Sequence, residues 1–381
     1  MTLLVIAGYA PSLVGFRKAF LRALVEAGHS VHATAPEDDP TVRAELAKLG
    51  IGFHPVPMAR AGFSPLADLR YRHALADLMR DLGVEGVFAY THKAVIHGLR
   101  AAKAAGVRRR AAMITGLGYA FTPGGGLRRR LASLAVTYLY RSSLRHANAL
   151  FFQNPDDLST FRALGLLRGA PEPVVVAGSG IPLDEFPVQP LPSGPPVFLM
   201  LARLLADKGV REYAAAAAEV RRVYPAARCL LAGDLDSNPT SVSREELDGW
   251  VTSGAIEYLG RLTDVRPALA ACTTYVLPSY REGTPRSVLE ALAVGRPVIT
   301  TDAPGCRETV LEPGVVGADG LRRCANGYLV PVADASTLAK AMMRLAEPTA
   351  PLADLAAASR RHAEAKYDVR KVNADLLAAF A

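Results

Sequence analysis

Short apolar runs punctuate the first half of the chain at 3–7, 31–34, 86–89, 112–115, 149–152 and 174–176, and each reads as a strand. Between them, apolar positions recur at helical spacing over 16–27, 41–49, 65–82 and 94–105. Strands alternating with helices argue for βαβ units and an α/β fold whose parallel sheet is buried on both faces. A stretch at 182–196 then carries Pro187, Pro190, Pro192 and Pro195. Such a stretch is stiff and cannot enter a central strand, so it reads as a hinge. The alternation restarts beyond it, with strands expected at 197–202, 229–232, 256–259, 274–277 and 297–300 and helices at 210–223, 265–271 and 285–294. The Ala- and Leu-rich stretch 351–380 reads as a single closing helix. The whole pattern predicts two Rossmann-like domains, 1–181 and 197–364, joined by the 182–196 hinge, with parallel sheets facing across a cleft. Ligands are expected at the carboxyl ends of the strands.

Composition narrows the picture. A chain of 381 residues is long for one domain, and 50% hydrophobic against 21% charged residues is a globular balance. No apolar run reaches the ~20 residues that span a bilayer. The first seven residues lack a basic flank and a cleavage site, so they read as a strand rather than a signal peptide. Cys229, Cys272, Cys306 and Cys324 are widely spaced and form no CxxC pair, which suits reduced thiols in a cytoplasmic protein. A net charge of +8 asks for an anionic partner: nucleic acid, an anionic lipid surface or a phosphate-bearing substrate.

Candidate chemistry begins where an expected strand gives way to an expected helix, at 279–290. Glu282, Gly283 and Thr284 precede Pro285, which suits a first helical turn, and a helix N-terminus attracts phosphate. Glu290 follows within two turns, and a carboxylate there can accept hydrogen bonds from a vicinal diol such as ribose. The spacing alone fits equally a dipole-stabilised Glu282 and an ordinary surface Glu290. Arg203 follows the strand at 197–202, and Lys208 stands where a cation opposes the helix dipole and calls for an anion. Leu259-Gly260-Arg261-Leu262 closes another strand and offers an edge to a base ring.

Taken together, Ala-Arg203 through Lys208-Gly, Leu-Gly-Arg261, Arg-Glu282-Gly-Thr-Pro through Leu-Glu290-Ala, Gly295-Arg-Pro-Val-Ile and Asn326-Gly-Tyr-Leu-Val-Pro resemble the retaining glycosyltransferases of family 4, which have the GT-B architecture. The resemblance implies that Arg203 and Lys208 bind a diphosphate, Glu290 holds ribose and Glu282 contacts the donor sugar, with Arg261, Leu262, Gly283 and Thr284 lining the donor site. It implies a nucleotide sugar as co-substrate, a uridine diphosphate carrier first, with no other cofactor. Metal is not implied either, since cations with a helix dipole can stabilise the leaving charge. The ending 367–373 resembles the helix that crosses back to the first domain, expected at about 365–381.

In the first half, the loop 8–17 stands where the family carries a glycine loop, which makes Gly15 and, less directly, Arg17 candidates, although the usual Gly-Gly doublet is missing. Thr115, beside Gly116, stands where many members carry a histidine at the end of the fourth strand, and His92 is the nearest catalytic alternative. The segment 114–121 and the closing residues resemble the branch that extends polyprenyl-diphosphate-linked saccharides, which implies such an acceptor. Leu127, Leu131, Leu134 and Tyr138 form an apolar stripe among arginines. That pattern suits either contact with an anionic membrane at its inner face or packing in the core. Nucleic-acid binding is disfavoured, because the basic residues are not interleaved with aromatics in any recognition motif. A dehydrogenase is disfavoured by the absence of GxGxxG after a strand. A GT-B-shaped sugar-nucleotide epimerase stays open as the rival enzyme, and a non-catalytic sugar-nucleotide-binding protein as the rival outside enzymes.

Overall fold

The computed structural model describes residues 1–58, 64–116, 127–236, 238, 240–311, 314, 316–317 and 320–381, with the backbone alone at 127–134. Residues 117–121 of the segment 114–121 lie outside the described residues. The chain forms two compact units, Met1–Ser179 with Val369–Ala381, and Gly180–Asp368.

The first unit is built on β1 (Thr2–Ile6), β2 (Ser30–Thr34), β3 (Gly52–Phe53), β4 (Gly86–Tyr90), β5 (Arg109–Ile114), β6 (Ala149–Phe152) and β7 (Val174–Val175). They pair in parallel in the order β3-β2-β1-β4-β5-β6-β7. Side chains alternate between the two faces of a strand. Leu4, Ile6, Val87, Ala89 and Ile114 therefore pack with Leu75, Leu99 and Tyr140 in one buried cluster. Leu3, Val5, Phe88, Tyr90 and Met113 pack on the other face with Phe20, Leu24, Val372, Leu376 and Phe380. Both faces are covered, which is why these strands read as continuous apolar runs.

The second unit holds β8 (Val197–Leu201), β9 (Arg228–Ala232), β10 (Glu257–Tyr258), β11 (Thr274–Leu277), β12 (Val298–Thr301), β13 (Arg322–Cys324) and β14 (Gly327–Val330). Their order is β10-β9-β8-β11-β12-β14-β13, parallel throughout except for the β13–β14 hairpin. In each sheet the connection reverses beside the first strand, between β1 and β4 and between β8 and β11. A crevice opens at the carboxyl ends of such strand pairs.

Three expectations need correction. The segment 351–380 is two helices, Leu352–His362 and Val369–Leu377, separated by a π-turn at Ala363–Tyr367. Tyr367 is buried in the second unit, with its hydroxyl donating to the Glu308 carbonyl, whereas Val372, Leu376 and Phe380 belong to the core of the first. The helical run is interrupted between these groups, and the Ile181 amide donates to the Tyr367 carbonyl at 2.7 Å beside that interruption. Pro285 is the residue before the helix Arg286–Ala293, not within its first turn. Tyr138 is 70% exposed, while Tyr140 and Leu144 of the same helix are buried; the side chains of Leu127, Leu131 and Leu134 lie outside the described residues.

The Pro-rich stretch is held within the second unit. Prolines bring carbonyls but no N–H donors, and buried carbonyls need donors from elsewhere. The buried Arg296 supplies them: its guanidinium donates to the carbonyls of Gln189 and Pro190, each at 2.9 Å, and to those of Leu269 and Ala270 at 2.9 and 3.0 Å. Cys229, Cys272, Cys306 and Cys324 are free and buried. Among the described residues no helix is long and apolar enough to cross a membrane.

Leu376→Ala, which empties part of the first unit's core from the C-terminal helix, is expected to cost about 2–5 kcal/mol in urea unfolding followed by circular dichroism. A change below about 0.5 kcal/mol would show that the C-terminal helix contributes nothing to that core.

Candidate active site

At the carboxyl end of β11 the chain runs Pro278 to Pro285 before the helix Arg286–Ala293 begins. Neighbouring loops clamp this segment on both sides. On one side the Tyr280 amide and the Ser279 hydroxyl donate to the Asp207 carbonyl at 2.8 and 3.0 Å, and the Tyr280 hydroxyl donates to Glu212 at 2.6 Å. On the other, the Glu282 amide donates to the Pro304 carbonyl at 2.9 Å. Two glycines make the fit possible. Gly209 is left-handed (φ +73°) and packs so closely on the Pro278 carbonyl that a Cβ there would collide with it. Gly305 (φ +78°) stands in the same relation to the Glu282 carbonyl. Only glycine takes up such a φ without strain.

These contacts bring Lys208, from the turn Ala206–Lys208, to Glu282. Their ion pair is 2.6 Å long and each side chain is only 16% exposed. Burial alone would lower the Lys208 pKa, but the charge and hydrogen bond of Glu282, with the charge of Asp207, more than reverse this, and the net shift is upward. Lys208 is thus a fixed cation. It precedes Gly209, the cap of the helix Val210–Val223, rather than standing on that helix's first turn.

Glu290 is not an ordinary surface residue. Its side chain is 14% exposed and pairs with Arg286 at 3.0 Å, while Arg286 also donates to the Gly180 carbonyl at 3.3 Å. Burial raises the Glu290 pKa above the usual carboxylate range, and Arg286 offsets only part of the shift. Gly283 and Thr284 are half-buried in the same turn.

Arg203 and Arg261 stand apart from that pair, beyond the ends of β8 and β10. Arg203 pairs with Asp236 at 3.1 Å and Arg261 with Asp234 at 3.5 Å, at 63% and 67% exposure. Exposed pairs are worth about 0.2–1 kcal/mol, so an incoming phosphate can displace either carboxylate at small cost. Leu262 is half-buried beside Arg261. Sequence reasoning passed over Asp234, Asp236 and Arg286. The first two follow β9, where acceptors at a strand's carboxyl end were legible; Arg286 stands four residues before Glu290, the helical spacing of an ion pair, and was legible from that.

In the first unit the candidates gather at the carboxyl ends of β1, β4 and β5. Gly15 is exposed at the end of the short helix Pro11–Val14 with φ −81°, so its backbone does not require glycine. Arg17 is fully buried, 5.0 Å from the Tyr90 ring centroid and 5.7 Å from that of Phe88, and does not face a ligand. The Ser12 and Tyr90 hydroxyls share a hydrogen bond at 2.7 Å. His92 begins a helix after β4 and shares a hydrogen bond through Nδ1 with the Tyr140 hydroxyl at 2.5 Å. Burial pushes the His92 pKa down to about 4, so the ring is neutral near pH 7. It can position a hydroxyl but cannot supply a cation. Thr115 is half-buried one residue past β5.

Two measurements check this geometry. Gly209→Ala forces a left-handed alanine against Pro278 and should cost about 1–2 kcal/mol or more in thermal unfolding; an unchanged midpoint would show that the turn is not constrained. For Glu290, the folded state binds its proton more tightly than the unfolded state, so stability falls as pH rises from the ordinary value of 4.5 through the higher folded value. Glu290→Gln should lose that slope above pH 4.5 in urea unfolding followed as a function of pH.

Residues 195–348 match the family Glycosyl transferases group 1, and residues 18–180 match the Glycosyl transferase 4-like domain. The N,N'-diacetylbacillosaminyl-diphospho-undecaprenol alpha-1,3-N-acetylgalactosaminyltransferase of Campylobacter jejuni is 31% identical over 312 residues, 78% of this chain and 80% of that protein. The putative glycosyltransferase EpsD of Bacillus subtilis is 24% identical over 302 residues, 76% of this chain and 74% of its own. Among solved structures, sucrose-phosphate synthase from Thermosynechococcus elongatus superposes with a TM-score of 0.79 at 17% identity over 100% of this chain and 98% of its own. HepE of Anabaena in complex with UDP-glucose gives 0.75 at 18% identity over 100% and 99%. These likenesses show the GT-B fold. With this fold and a relative so similar over most of both lengths, the chain belongs to the group 1 glycosyltransferases of family 4 type.

Proposed function

We propose that this glycosyltransferase moves a hexose or N-acetylhexosamine from a nucleoside-diphosphate sugar, a uridine carrier first, to a saccharide borne on a polyprenyl diphosphate. The observation that carries the proposal is the enclosed Lys208–Glu282 pair between the ends of β8 and β11, beside the start of the helix Arg286–Ala293. A fixed cation with a helix N-terminus is the combination that stabilises a leaving diphosphate. Arg203 joins Lys208 on the phosphates after releasing Asp236. Glu290 accepts the ribose hydroxyls, Arg261 and Leu262 border the base, and Gly283 and Thr284 follow the phosphates. Glu282 receives donor-sugar hydroxyls while Lys208 holds it in place.

Transfer proceeds with retention and without metal. The acceptor oxygen attacks the anomeric carbon on the face that the diphosphate leaves, the carbon–oxygen bond to the phosphate breaks, and the acceptor proton passes to the departing phosphate oxygen. In the first unit, Gly15, Thr115 and neutral His92 line the acceptor and sugar side, with His92 as a hydrogen-bonding group. The lipid-linked acceptor is supported by the C. jejuni relative, named for a diphospho-undecaprenol substrate, and the uridine carrier by the UDP-glucose complex of HepE. Exposed Tyr138, Arg141 and Arg145, on or just past the helix Leu127–Leu144, suit contact with the anionic inner face of a membrane, and the reading takes the enzyme as cytoplasmic.

The two glutamates separate the roles. Glu290→Ala should weaken binding of UDP itself about 10–100-fold by calorimetry, the value of hydrogen bonds to a charged group. Glu282→Ala should leave UDP affinity within about threefold and lower kcat at least about 100-fold. Lys208→Ala should lower both. Unaltered UDP affinity and turnover in Lys208→Ala and Arg203→Ala would overturn the assignment.

A further inference from the structure

A polar cavity of about 580 Å³ opens in the first unit, lined by Arg72, His73, Asp77, Arg80, Arg100 and His146. It lies on the far edge of the sheet from Gly15, His92 and Thr115. The helix His92–Ala104 starts at the carboxyl end of β4 and brings Arg100 down toward the amino end of β5, which begins at Arg109. His146 stands just before β6, and the helix Pro65–Asp81 carries Arg72 and Arg80 toward the start of β4.

Three arginines face one carboxylate in this cavity. That carboxylate, Asp77, is already paired with Arg80 at 2.5 Å. Arg100 donates to the neutral Ser142 hydroxyl at 2.5 Å, and among the described residues neither Arg100 nor Arg72 has a carboxylate partner. Burial, then repulsion from Arg72 and Arg145, lowers the Arg100 pKa. Burial, then Arg145, Arg100, Arg110 and Lys103, lowers that of His146. Like charges held together in a half-buried cavity repel unless an anion sits among them. Guanidinium forks match phosphate oxygens in charge and spacing, and the volume is that of a small-molecule pocket.

We propose that this cavity is a second anion site, which binds a phosphate-bearing group through Arg72 and Arg100 at the edge of the sheet remote from the transfer chemistry. The group is either a soluble phosphate compound or the headgroup of an anionic lipid; both present the same oxygens to the same guanidiniums.

The test uses the full chain carrying Lys208→Ala, which silences the proposed diphosphate site of the second unit. Inorganic pyrophosphate is titrated by calorimetry into this protein and into versions that add Arg72→Gln or Arg100→Gln. Each added substitution should weaken binding at least about tenfold while leaving the circular-dichroism melt in place. Among the described residues Arg72 makes no hydrogen bond, so Arg72→Gln keeps the test sharp if Arg100→Gln misfolds. Flotation with phosphatidylglycerol vesicles, against phosphatidylcholine vesicles, separates the sources. Phosphatidylglycerol binding that Arg72→Gln abolishes and pyrophosphate competes away assigns the site to a lipid headgroup; pyrophosphate binding with vesicle behaviour unchanged by Arg72→Gln assigns it to a soluble phosphate. Failure of pyrophosphate to bind, or equal binding to Arg72→Gln, overturns the proposal.

Discussion

Lys208 and Glu282 meet at 2.6 Å with most of each side chain withdrawn from water, and two charges in that position tolerate little freedom. Removing a charge from water costs several kcal/mol, and the partner repays it only if the geometry holds. The surrounding structure supplies that geometry. Gly209 lets the turn before the helix Val210–Val223 lie against Pro278, and Gly305 lets a third loop lie against the backbone of Glu282. Thr301 adds a hydroxyl to the Ser279 carbonyl, so β12 also holds the segment that carries Glu282. Pre-set donors and charges do their work without reorganising during a reaction, which is how an enzyme stabilises charge most effectively.

The same sheet edge separates rigid from adaptable groups. Lys208, Glu282 and Glu290 are enclosed and held by partners, whereas Arg203 and Arg261 are themselves exposed and rest on aspartates that a ligand can displace. A site arranged this way keeps its reacting centre fixed and lets its outer cations follow the ligand. His92 adds a complementary restraint in the first unit, because burial keeps it neutral and Tyr140 sets its ring orientation.

Much of this was legible along the chain, and the exceptions have physical causes. Strands such as β4 and β11 are buried on both faces and so appear as unbroken apolar runs. The two-residue β3 and the β13–β14 hairpin are too short to establish a period. The capping box of Ser243 and Glu246 marks the helix Arg244–Thr252 in plain residues, and it went unread because few apolar positions follow it. The break near Asp368 was hidden for a different reason: helical spacing continues through it, and only the change from one core to the other interrupts the helix. In the site, the pairing of Lys208 with Glu282 joins residues 74 apart in sequence; their types and positions suggested one ligand, but not that they touch. Arg17 was a reasonable candidate by position. Its burial depends on Phe88, Tyr90 and Met113, which the sheet brings from two other strands.

The central claim is that the donor lies on the Lys208–Glu282 edge of the second unit. Hydrogen–deuterium exchange of the native protein with and without saturating UDP-sugar tests it most directly, because ordering by the ligand slows amide exchange where it binds. The account predicts protection concentrated in 203–209 and 279–290. Saturation without slowed exchange in either segment would contradict it.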